Sequence, residues 1–116
     1  MIKLDIALEF STAPGARLRS EGEHSAEEFR ERLLAPRLRN VLANWQTLHV
    51  ILDGTAGYAA CFLEEAFGGL IRNEGFTKSE LDIGMKLVSE EEPELIAEIN
   101  GFIADAQAAQ EKENAN

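Results

Sequence analysis

Six residues, Leu48-His49-Val50-Ile51-Leu52-Asp53, form a short, mostly apolar run that ends on the turn signal Asp53-Gly54. A run of this length, rich in β-branched residues and almost without polar alternation, reads as a strand buried on both faces at the centre of a parallel sheet. A parallel partner requires a crossover, so helices must stand on either side of it in the sequence. They do. Upstream, Ser25-Ala26-Glu27-Glu28 matches a capping box. Behind it Phe29, Leu33, Leu34, Leu38, Val41, Leu42 and Trp45 recur at helical spacing. This predicts a helix over 26–44, interrupted near Ala35 by Pro36. Downstream, Phe62, Leu63, Ala66, Phe67, Leu70 and Ile71 predict a second helix over 60–73, stopped at Gly75.

Period-two alternation flanks this centre. Ile2, Leu4, Ile6, Leu8 and Phe10 predict a first strand, and Leu81, Ile83, Met85 and Leu87 a third. Arg17-Leu18-Arg19 reads as either a short strand or a loop. A last helix opens at Ser89 to Pro93 and buries Leu95, Ile99, Phe102, Ile103 and Ala106. The tail from Gln107 lacks an apolar anchor beyond alanine and is expected to fray. With 116 residues this order makes one α/β domain with a mainly parallel sheet.

Composition narrows the chemistry. The formal net charge is -10, and residues 80–116 carry ten acidic and two basic side chains. Such a surface disfavours nucleic-acid phosphates and anionic membranes. Neither a membrane-spanning apolar run nor a basic-then-apolar signal region is visible, so the reading is a soluble, cytoplasmic protein. One cysteine, Cys61, and two histidines, His24 and His49, give no metal-ligand spacing, and no cofactor is expected.

The segment Tyr58-Ala59-Ala60-Cys61-Phe62-Leu63-Glu64-Glu65-Ala66-Phe67-Gly68-Gly69-Leu70 resembles the STAS-like proteins of unknown function. These are small bacterial and phage-associated relatives of the sulfate-transporter and anti-sigma-factor-antagonist domain. Phe29-Arg30-Glu31-Arg32-Leu33-Leu34-Ala35-Pro36 is similar to that family's first helix. The matches span about residues 8 to 76. The resemblance implies a STAS-like sandwich, a mixed, mainly parallel sheet of four to five strands with three to four helices. It would occupy residues 1–110, with a disordered acidic tail over 111–116. It also implies a non-enzymatic regulatory module that binds a protein, with an ATP-binding regulatory kinase or ATPase as the partner class, acting as a monomer or homodimer. The wider family often carries a phosphorylatable serine or threonine at this helix N-terminus, where phosphate meets free N–H groups. Here Ala59 and Ala60 stand there, and Thr55 and Tyr58 are the remaining hydroxyls between Asp53 and the helix. The expected docking surface is therefore Thr55, Tyr58, Ala59, Ala60, Cys61, Glu64, Glu65, Gly68 and Gly69, without the usual phosphoserine.

Each of these residues also has a plainer structural reading. Cys61 at a helix N-terminus is either a nucleophile or a small buried residue in place of serine. Asp53 stands on the sheet rim where ligands gather, and it can equally cap a turn. Glu64 and Glu65 diverge by about 100° on a helix and read as solvated first-turn charges. Gly68-Gly69 either admits a close neighbour or offers an exposed surface to a partner. His49 reads as a satisfied sheet residue. Arg30, Arg32, Arg37 and Arg39 read as surface ion pairs, with Glu28–Arg32 and Glu27–Arg30 at helical spacing. A second function also fits: an acidic inhibitor or nucleic-acid mimic of phage type. It would bind a basic protein through Glu90, Glu91, Glu92, Glu94, Glu98 and Asp105.

Overall fold

Three parallel strands, β1 (Ile2–Asp5), β2 (Leu48–Ile51) and β3 (Met85–Val88), form one sheet in the order β1-β2-β3. The structure is a computed structural model and describes residues 1–115. The expected four- to five-stranded mixed sheet is thus a three-stranded, all-parallel one among the described residues. Two sequence readings account for the difference. Arg17-Leu18-Arg19 makes no strand and runs into a single 3-10 turn, Arg19–Glu21. The first strand also stops at Asp5 rather than Phe10. There the Asp5 carboxylate accepts the Leu8 N–H at 3.2 Å, and Glu9 accepts the Asp5 N–H at 2.8 Å. Those two bonds start the one-turn helix α1 (Ile6–Glu9).

Helix α2 spans 26–43 and begins on Ser25, whose hydroxyl accepts the Glu28 N–H at 3.1 Å. The predicted break near Ala35 is a widened turn instead. Through Arg30–Leu34 the ladder is of π type, with the Ala35 N–H donating to Arg30 O. Pro36 has no N–H to give, and the wide turn ahead of it absorbs the missing bond without ending the helix. Helix α3 spans 60–72 and has its own π turn at Glu64–Gly68. Past it, Gly75 takes φ +81, as its place after the helix demands.

The third strand is half of what alternation suggested. Residues Lys78–Gly84 are helix α4, and only Met85–Val88 is strand. Thr77 caps α4, its hydroxyl accepting the Glu80 N–H while Glu80 accepts the Thr77 N–H. Helix α5 (Glu94–Asn114) buries Leu95, Ile99, Ile103 and Ala106 and runs past the end of that stripe. Most of the expected tail 111–116 thus lies in this helix, and Asn116 lies outside the described residues. No helix among them is long and apolar enough to cross a membrane.

The core joins Leu4, Leu48 and Val50 of the sheet to Phe29, Leu34 and Leu38 of α2 and to Phe62, Phe67 and Leu70 of α3. Helix α5 packs on α3. The expectation that β2 is buried on both faces is corrected: Leu48 and Val50 are buried, but His49 and Ile51 are partly open. The helices cover one face of the sheet; on the other, Lys3 and Lys86 are exposed and His49, Ile51 and Val88 are partly open.

Candidate functional site

The loop after β2 lies at the C-terminal rim of the sheet, and its neighbours hold it from three sides. The Asp53 carboxylate accepts the N–H groups of Glu90 (3.0 Å) and Glu91 (2.9 Å), and Glu91 in return accepts the Gly54 N–H at 2.8 Å. The Ala56 N–H donates to Thr12 O at 2.8 Å, tying the loop to the segment after α1. Thr55 accepts the Gly57 N–H at 3.3 Å. The Tyr58 hydroxyl turns inward and donates to Leu52 O at 2.7 Å, and its ring packs 5.9 Å from Phe62. Burial is the main cause that pushes the Tyr58 phenol up to about 12. The neutral hydroxyl is therefore the native form well above the usual tyrosine range. Folding stability is independent of this group below about pH 10 and declines as pH rises from there towards 12.

Asp53 takes the turn-capping role, bonded across to the loop that leads into α5. Tyr58 is an anchor. Ala59, Ala60 and Cys61 follow it onto the surface, and all three are exposed. Cys61 is therefore not the buried serine replacement that the plainer reading described, and its thiol makes no hydrogen bond to a base among the described residues. The start of α3 has no side-chain cap. Leu8 of α1, 84% exposed, belongs to the same rim.

The second half of the expected surface points inward. Gly68 and Gly69 are both buried. A Cβ at Gly69 would collide with Nη1 of Arg30 and stand 3.0 Å from its Cζ, so the glycine admits a close neighbour. That neighbour was not legible as buried. Arg30 is 2% exposed. It donates from Nη1 to the Glu65 carboxylate (2.6 Å) and the Glu65 carbonyl (2.8 Å), and from Nε to Glu74 (3.1 Å). Arg39 completes the group, donating to Glu74 at 2.8 Å and lying over the Phe76 ring at 5.4 Å. The expected Glu27–Arg30 surface pair is replaced by this internal cluster, whereas Glu28–Arg32 forms at 2.7 Å. Glu65 is an inner ligand of Arg30, and Glu64 pairs with Arg72 at 2.6 Å, so neither is merely a solvated charge.

The site residues thus divide. Thr55, Tyr58, Ala59, Ala60 and Cys61 form one rim, with Glu64 a turn further along α3. Glu65, Gly68 and Gly69 belong to the interior that joins α2 to α3. Among the described residues no group of three His, Cys, Asp or Glu side chains could hold a metal ion. Comparison with family models, with curated proteins and with solved structures returned no match for this chain.

Proposed function

We propose that this chain is a non-enzymatic regulatory module of STAS-like type that docks a partner protein through the region 53–69. Docking is narrowed to the rim from Thr55 to Cys61, with Glu64, where Ala56, Ala59, Ala60 and Cys61 are exposed and Tyr58 anchors the loop. The observation that carries the reading is the fixed loop that ends in an exposed step of small residues. Its backbone is already held by Thr12 and Glu91, and its Asp53 and Tyr58 side chains tie it to the Glu90 and Glu91 amides and to Leu52 O. A pre-ordered surface loses little conformational entropy on binding, and small side chains let a partner's backbone approach. The resemblance points to an ATP-binding regulatory kinase or ATPase as that partner. With alanines at 59 and 60, recognition does not depend on a phosphate at the start of α3.

A second reading rests on a different observation. Glu90, Glu91, Glu92, Glu94, Glu98 and Asp105 are all exposed, and none forms an ion pair among the described residues. That arrangement suits an acidic inhibitor of a basic protein. One comparison separates the two. Immobilised full chain captures a protein from the native extract, and the same is done with Ala60→Arg and with Glu94→Gln/Glu98→Gln. Rim docking expects Ala60→Arg to lose the captured protein and the double glutamine variant to keep it. The acidic reading expects the reverse, with capture falling steeply as salt rises. One protein captured equally by all three chains would sink both.

A further inference from the structure

The more open face of the sheet is built from the other alternation of each strand. Register places Lys3, His49 and Lys86 in one row across it, and Asp5, Ile51 and Val88 in the next. Ile96 of α5, Met1 and, at one end, the exposed Glu90 border a groove of about 450 Å³ over this face. Three facts single it out. All-parallel sheets are almost always covered on both faces, because crossover helices pack there. This sheet has Ile51 and Val88 partly open to solvent instead. Every arginine in the chain is ion-paired, yet the ammonium groups of Lys3 and Lys86 have no partner among the described residues. Between them, Nδ1 of His49 is buried and lacks a hydrogen-bond partner among the described residues.

We propose that this face receives an acidic amphipathic helix of a partner protein. Its apolar side would cover Ile51 and Val88, and its carboxylates would lie over the row Lys3–His49–Lys86. The dimensions agree. Four-residue strands are about 13 Å long and three strands are about 10 Å across. A single helix is 10–12 Å wide with its side chains, and about nine residues of it span 13 Å. Two copies stacked with these rows in register would set lysine against lysine, which disfavours a second copy as the occupant. Charge selects instead a foreign segment with carboxylates, which two unpaired lysines on a chain of net charge -10 are placed to recognise.

The test uses the full ¹⁵N-labelled chain and two synthetic 14-residue amphipathic helices, one of Leu and Glu, the other of Leu and Lys. The Leu/Glu peptide is expected to move the amide signals of Lys3, His49, Ile51, Lys86 and Val88, and the Leu/Lys peptide to leave them still. Lys3→Gln/Lys86→Gln should weaken binding on the order of tenfold. Both changes are at exposed side chains, so the fold is expected to stay intact. Ala60→Arg should leave the peptide affinity unchanged, which keeps this face separable from rim docking. Equal shifts with both peptides, or none at these residues, overturn the proposal. So do shifts that depend on protein concentration without peptide, which would give the face to a second copy.

Discussion

At Gly69 helix α3 runs so close to Arg30 that a single methyl group has nowhere to go. Its neighbour Gly68 is also buried, but what stands over it is different. A Cβ there would meet the Glu64 carboxylate at 2.6 Å and Arg72 Nη1 at 3.1 Å, the ends of two side chains that are each about one-third exposed. Those can swing into solvent. Arg30 cannot, because its guanidinium is held by Glu65 and Glu74 inside the protein. The two substitutions should therefore differ sharply. Gly68→Ala is expected to stay within about 1 kcal/mol of the wild type, helix propensity offsetting the displaced surface pair. Gly69→Ala should cost about 3 kcal/mol, since it unseats a buried charge. Urea unfolding of both variants decides it, and equal midpoints would refute the account. The residues Phe-Leu-Glu-Glu-Ala-Phe-Gly-Gly marked this place in the sequence, but not what it was for. Arg30 could not be read as buried because its partners are 35 and 44 positions away, while Glu27 offered a local pair at helical spacing.

Among the elements, the helices with long apolar stripes were legible and the short alternating segments were not. Leu48 to Asp53, α2 and α3 sit within a few residues of their predicted bounds, whereas α5 starts where expected but runs on to Asn114, through residues expected to fray. The segment Leu81 to Leu87 misled because alternation at 81, 83, 85 and 87 coexists with a stronger local signal, Thr77-Lys78-Ser79-Glu80. That capping box starts α4, and the strand begins only at Met85. Asp5 and Glu9 act similarly at the other end, turning the last half of an alternating run into α1. Asp53 makes the reverse point, because its caps lie across the fold rather than along the chain. It fixes the loop between β3 and α5 to the loop after β2 with a carboxylate and two backbone N–H groups. Asp53→Ala should then cost about 2 kcal/mol and speed hydrogen exchange at Glu90 and Glu91. Exchange unchanged at those two amides would show that the loops hold themselves without it.

On the scale of the molecule, charge and cover are distributed unevenly. The arginines of α2 turn inward or pair with neighbouring acids, the unpaired acids stand on the approach to α5 and along it, and the open sheet face keeps its two lysines. Beyond the opposite rim from the loop, the chain leaves helix α2 through Trp45, which is 96% exposed at φ +55. This is the left-handed C-terminal position where glycine is usual. The Trp45 N–H donates to Leu42 O and the Gln46 N–H to Val41 O. Exposed Ile83, at 72%, lies with Leu42 along the same groove. The chain has one tryptophan, so this position has a spectroscopic consequence. The indole is bathed in water before the protein unfolds as well as after. Its emission maximum is expected to move little across a urea transition that circular dichroism follows in full. A large red shift on unfolding would mean that Trp45 is covered in solution. An intrinsic-fluorescence melt of this protein should therefore look nearly featureless, and the flat trace would record the exposure of one side chain rather than the absence of a cooperative fold.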